Sequence, residues 1–219
     1  MRQLDDTTMD EQSHSKSPQI KAPGMMSRFD RHGYEILLVL MIALTVIIRL
    51  RLLNIPLERD EGEFAYMGQL ILQGIPPYQL SYNLKFPGIY AAYALIMLGF
   101  GQTTEGIHLG FLFVNVVTTI LIFLLGARLF DRFVALIAAC SFAILSLSPT
   151  VYGTSAHATH FVILPALAGI LLLLRSIESG RMNLLFWSGV SLGVSCLMKQ
   201  PAVFFVLFSC LYLFHALKR

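Results

Sequence analysis

Charge is what this sequence has least of. Only 13% of its 219 residues are charged, against about 25% in an average soluble domain, and 56% are hydrophobic. At a mean hydropathy of +0.68, the apolar excess is more than one core could bury, so lipid must be the solvent for most of it. The net charge of +3 is small, which argues against a nucleic-acid partner. Cysteine is scarce too. Cys140, Cys196 and Cys210 all lie inside apolar runs, where a thiol behaves as a small hydrophobe. Neither a disulfide framework nor metal-ligand spacing is visible. Residues 1–33 lack an apolar h-region and any periodicity, so they read as a disordered cytoplasmic tail and not as a cleavable signal peptide. Met25 and Met26 leave open a later start. No internal repeat of the kind that marks many transporters is found.

What the sequence does have is a series of apolar runs. A spanning helix needs about 20 mostly apolar residues. The runs at 34–53, 107–129, 133–147, 161–174, 184–198 and 202–216 predict an all-α polytopic bundle of six spans. Arg49 and Arg51 close the first and are placed to snorkel toward the far surface. The run at 87–100 is shorter and rich in aromatics; Tyr90 and Tyr93 suit the headgroup layer, so it reads as interfacial or re-entrant. Leaving it out puts the N-terminal tail, 128–132, 175–181 and 218–219 on one side, each carrying Arg or Lys. The loops at 54–106, 152–160 and 199–201 fall on the other. Counting 87–100 as a span would put Arg128, Arg132, Arg175 and Arg181 outside, against the positive-inside rule. The N-terminus is therefore assigned to the cytoplasm. The absence of an organelle signal and the compact loops point to a bacterial plasma membrane.

The first outer loop carries the chemistry. Phe64, Met67, Leu70 and Ile71 recur at helical spacing, and Gly74 with Pro76 and Pro77 ends the run. An amphipathic helix on the outer membrane surface is predicted, its apolar stripe in the headgroup boundary. Asp60, Glu61 and Glu63 crowd its start beside Arg59. Asp60 and Glu63 have the spacing of a capping box, and acids also suit the positive end of a helix dipole. A partly desolvated carboxylate there is equally a candidate general base. Lys85 just precedes Pro87, which suits the first turn of a helix. Lys199 lies between two apolar helices, where a charge is expensive and marks function by default. Each lysine also fits a plain interfacial role, with its ammonium reaching the headgroups. The predicted topology places Asp60, Lys85 and Lys199 on one face, an arrangement a lipid-phosphate substrate would need.

The stretch Arg59-Asp60-Glu61-Gly62-Glu63-Phe64-Ala65-Tyr66, then Gln73-Gly74, then Lys85-Phe86-Pro87-Gly88, resembles the first outer loop of the GT-C membrane glycosyltransferases. The relatives are the protein O-mannosyltransferase and lipid A aminoarabinose transferase-like families. The resemblance continues through Leu125-Gly126-Ala127-Arg128-Leu129-Phe130, Ser148-Pro149, Gly189-Val190-Ser191-Leu192-Gly193 and Met198-Lys199-Gln200-Pro201. It implies an inverting transferase that moves a sugar from a polyprenyl-phosphate donor to an acceptor hydroxyl on a lipid, protein or polysaccharide. It also implies Asp60 as catalytic base and Glu61 as the second acid of the pair. Lys85 and Lys199 would hold the donor phosphate, with Arg59, Glu63, Tyr66 and Gln200 as further substrate contacts. Two departures stand out. Leu84 occupies a position often His or Glu in relatives, which weakens the case for a divalent metal. Ala156-His157-Ala158-Thr159-His160 replaces a stretch that often carries Glu, leaving His157 and His160 as weak metal candidates that also fit loop and cap roles. The resemblance further implies a longer chain with more spans, so the expectation is the catalytic half of such an enzyme, a transmembrane domain over 34–219.

Two other classes compete. A transporter subunit would want charges at mid-membrane, whereas these sit at the faces. A non-catalytic or truncated membrane partner that binds polyprenyl phosphate would share every feature above.

Overall fold

The computed structural model describes residues 28–218, and all the regular structure within them is helical. The helices are α1 (Arg28–Arg51), α2 (Arg59–Leu72), α3 (Pro87–Phe100), α4 (Thr104–Leu129), α5 (Arg132–Leu145), α6 (Ala158–Ser179), α7 (Met182–Met198) and α8 (Val203–Leu217). Short 3-10 turns at Pro149–Val151 and Gln200–Ala202 precede α6 and α8. The expected tail at residues 1–27 lies outside the described residues; residues 28–33, also read as tail, open α1.

Four helical segments are long and apolar enough to cross a membrane: His32–Arg51, Thr104–Leu129, Ala158–Ser179 and Gln200–Leu217. α5 and α7 are shorter, as is α3. Polar contacts define two ends of the bundle. At the arginine end, Arg128 at the end of α4 pairs with Glu178 at the end of α6. Arg132 at the start of α5 donates to Glu35 near the start of α1 (2.8 Å). At the opposite, loop end, Arg49 of α1 donates to Ser146 O at the end of α5 (2.6 Å) and to Gly153 O (2.8 Å). Lys199 after α7 meets Thr159 at the start of α6 (3.4 Å). α5 therefore runs the same end-to-end course as α1 despite its 14 residues.

Small residues let the helices approach. Ala135, Ala139 and Ala143 form a buried stripe on α5, and Gly126 of α4 lies against Ala135. α6 and α7 are pinned by Ser188 Oγ donating to Gly169 O (2.7 Å) and Ser195 Oγ to Val162 O (3.1 Å). Such bonds suit a lipid-exposed bundle, where water offers no alternative partner. Ile36, Val39, Leu40 and Ile47 on α1, with Phe204, Phe208 and Leu211 on α8, face outward, as lipid-solvated helices require.

α2 and α3 cover the loop end and correct two expectations. The α2 stripe does not face headgroups. Phe64, Met67 and Leu70 are buried against α3, α4 and α6, together with Tyr90, Tyr93, Phe111 and Phe161. Tyr90 and Tyr93 are likewise enclosed by protein, and the Tyr93 hydroxyl donates to Ala156 O (2.7 Å). The reason is the close seating of α3: Gly88 touches the backbone of Leu197, and Gly110 of α4 touches Ile96. α3 thus bridges the loop-end termini of α7 and α4. Arg49, expected to snorkel, is instead buried, its guanidinium donating to the α5 C-cap carbonyl of Ser146 and to Gly153 O in the chain before α6, and lying 4.7 Å from the Phe111 ring centroid.

Candidate active site

The start of α2 is capped by residues two positions earlier than the spacing suggested. Glu58 is the N-cap: its side chain accepts from Asp60 N, and the Glu61 carboxylate accepts from Glu58 N, each at 2.8 Å. The capping box is therefore Glu58 with Glu61, not Asp60 with Glu63. Its consequence is chemical, because the carboxylates of Asp60 and Glu63 are left free for other partners.

Both turn to Lys85. Its ammonium lies 3.2 Å from Asp60 Oδ1 and 2.9 Å from Glu63 Oε2, with the Phe64 ring 4.5 Å beneath. The loop carrying Lys85 is fixed on several sides. Asn83 Nδ2 donates to Glu63 Oε1 (2.6 Å), Lys85 N donates to Asn83 Oδ1 (3.2 Å), and the Tyr78 hydroxyl donates to Lys85 O (2.7 Å). The other Asp60 oxygen, Oδ2, lies 3.5 Å from His157 Nε2. His157 Nδ1 reaches Thr159 Oγ1 (3.2 Å), which also accepts from Lys199 Nζ (3.4 Å).

These groups open onto one cavity of about 130 Å³, lined by Asp60, Lys85, His157, Lys199 and Gln200, with Phe64, Phe86 and Met198 among its apolar walls. Residues distant in sequence, at 60, 85, 157 and 199, thus meet at the loop end of the bundle. Burial pushes the Asp60 carboxyl up. The hydrogen bond and charge of Lys85, with lesser help from His157 and Arg59, more than offset this and hold it below the usual carboxylate range. Burial also pushes the His157 imidazole down, and Lys199 adds to that, against an upward pull from Asp60.

The remaining sequence candidates sit elsewhere. Glu61 is 2% exposed and does not line the cavity. It accepts from Ala156 N and Glu58 N and lies 3.6 Å from His108 Nε2, tying α2 to α4 and to the strand of chain before α6. Burial raises its pKa, but His108 and the two backbone donors more than reverse this. Arg59 is almost wholly exposed, 3.7 Å from Asp60. Tyr66 faces outward from α2. Glu63 stands behind Lys85 and not in the cavity wall. His160 turns from His157 toward Tyr152 O (3.4 Å) and the Phe111 ring. No group of three or more His, Cys, Asp or Glu among the described residues has metal-binding geometry. The donor set does not fit a divalent cation either. Asp60 and His157 are only two ligands, and Lys85 and Lys199 bring positive charge to the same space. Sequence reading missed Asn83 and His108, whose roles are set by partners 20 or more residues away.

The family model described as dolichyl-phosphate-mannose-protein mannosyltransferase matches residues 85–219. The chain belongs to that family. It is a family of membrane glycosyltransferases, and the helical, multi-pass architecture agrees with it. The matched stretch includes Lys85, His157, Lys199 and Gln200 and begins after Asp60. No curated protein and no solved structure matches the chain.

Proposed function

We propose that the loop-end cavity transfers a sugar from a polyprenyl-phosphate donor to an acceptor hydroxyl, with inversion at the anomeric carbon. The observation that carries this reading is the convergence of one freed carboxylate, Asp60, with two lysines from distant segments in a single cavity at the end of membrane-spanning helices. A donor lipid needs its tail in the bilayer and its phosphosugar at headgroup depth, and a cavity at the end of helices long enough to span meets that need.

In the proposed step the acceptor oxygen attacks the anomeric carbon as the bond from that carbon to the phosphate oxygen breaks. The leaving group is polyprenyl phosphate. Lys85 and Lys199 stabilise the negative charge that builds on it, an effect worth more in the transition state than in the ground state. Asp60 takes the hydroxyl proton, and His157, 3.5 Å from Asp60 Oδ2 and partly exposed, is placed to relay it to solvent. Donor phosphate also competes with Asp60 for Lys85. Binding of the donor thereby loosens the ion pair that suppresses the basicity of Asp60. Glu61 serves as a positioning residue that fixes the first turn of α2, and hence Asp60, against α4 and the chain before α6.

The test is transfer from a labelled polyprenyl-phosphate hexose by membranes carrying the chain. Asp60→Asn should lower turnover by roughly a hundredfold or more, and Lys199→Ala should raise the donor KM more than the acceptor KM. Wild-type turnover in the Asn variant, in protein that still folds, would refute the assignment of Asp60.

A further inference from the structure

The arginine end of the bundle holds a second cavity, open and about 440 Å³ in volume, lined by Arg128, Arg175, Glu178, Ser179, Arg181 and Leu184. Arg128 is already engaged: its guanidinium grips both Glu178 oxygens, with Nε 3.1 Å from Oε1. Arg175 and Arg181 are exposed and have no acidic partner among the described residues. One carboxylate thus faces three guanidiniums.

The backbone that carries the two free arginines is also held in place. Gly180 adopts a left-handed conformation (φ 65°) and its N–H donates to Ser176 O (2.8 Å), closing α6. Ser176 Oγ then donates to Arg181 O (3.0 Å), so Arg175 and Arg181 flank a braced turn. The depth of the cavity is marked independently. α6 is long enough to span, Arg175 lies in its last two turns, and the exposed pair Phe186 and Trp187, rings 5.6 Å apart, sits just inside α7 like an interfacial aromatic belt. A charge bias between loops explains positive residues on this side. It does not explain three of them converging on one cavity.

We propose that this cavity binds the phosphate of an anionic phospholipid headgroup, in the leaflet opposite the transfer cavity. Planar guanidinium forks match phosphate oxygens in a bidentate way, and basic pockets between spanning helices are suited to acidic headgroups. The bound lipid would clamp the ends of α4 and α6 to the α6–α7 turn. This site stands apart from the transfer reading and does not depend on it.

The full chain, purified in detergent, is titrated with phosphatidylglycerol and with phosphatidylcholine and read by native mass spectrometry. Wild type should retain phosphatidylglycerol in preference to phosphatidylcholine. Arg175→Gln with Arg181→Gln should lose about 30-fold in phosphatidylglycerol retention, and each single variant about fivefold. Arg128 is left in place because its pair with Glu178 joins α4 to α6. The single variants decide the matter should the double variant fail to fold. Equal retention by variants and wild type, or equal binding of both lipids, overturns the proposal. Complete displacement of the lipid by millimolar inorganic phosphate also overturns it, assigning the cavity to a free anion.

Discussion

Asp60 is under two opposing influences: partial burial, which favours its neutral form, and Lys85 at 3.2 Å, which favours the carboxylate. The lysine prevails in the free protein. A base held this low is weak until the acceptor oxygen has begun to bond to carbon and become acidic, or until the lysine is drawn elsewhere. Donor phosphate does the latter in the proposed step. The pH profile follows with a definite sign. The acid limb of kcat/KM, which reports the free protein, should lie at lower pH than the acid limb of kcat, which reports the donor complex. Steady-state rates across acidic pH check this, and coincident limbs would mean that Lys85 stays on Asp60 throughout turnover. His157 sets a separate limb below the ordinary histidine value of 6.5, because burial and Lys199 hold its pKa down. In the sequence His157 was noticeable only as half of a histidine pair; its tie to Asp60 spans residues too far apart for spacing to reveal.

At the scale of elements, α2 rests on Glu61 more than its sequence suggests. This side chain is enclosed, and Ala156 N and Glu58 N both donate to it. Glu61→Ala leaves those donors without a partner, at a cost of about 1–3 kcal/mol for each one that stays buried. A fall in the thermal midpoint of the detergent-solubilised chain is the expected result. Since the Glu61 carboxyl is held below its ordinary value of 4.5, its stabilisation is fully present above that pH and is lost as the pH falls through the lowered value. The gap between wild type and Glu61→Ala should therefore narrow on acidification, and a gap that stays constant would contradict the buried-carboxylate account. The same element shows where sequence was and was not sufficient. The helical period of Phe64, Met67 and Leu70 was plain, and so was the stop at Gly74. Whether that stripe met lipid or protein was not, because an apolar face reads alike against either solvent. Which acids cap α2 depends on a two-residue shift in helix start, and periodicity does not fix helix ends that closely. Arg49 shows a related ambiguity: a cation at the end of a span suits the headgroups as well as it suits carbonyls left unpaired at a helix end and in the loop beyond, here Ser146 O and Gly153 O.

For the whole molecule, the alternation of arginine-bearing and chemistry-bearing connections was legible from the charge pattern alone. The structure gives the same two ends, with Arg128, Arg132 and Arg181 at one and Asp60, Lys85 and Lys199 at the other. The six-span count rested on apolar runs, of which four reach full spanning length as helices. The cavity itself was beyond sequence, since its walls come from α2, the loop before α3, the chain before α6 and the turn after α7. Its volume of about 130 Å³ suits a phosphate with part of a sugar, so the remainder of a donor headgroup would extend toward the open side.

The most direct check places single cysteines at the exposed positions 59, 200 and 181, in a chain whose three free thiols, Cys140, Cys196 and Cys210, are replaced. Intact, sealed vesicles are treated with a membrane-impermeant maleimide. Positions 59 and 200 should label from the same side, and position 181 only from the other. Labelling of 59 and 200 from opposite sides would separate Asp60 from Lys199 and leave no shared phosphate site.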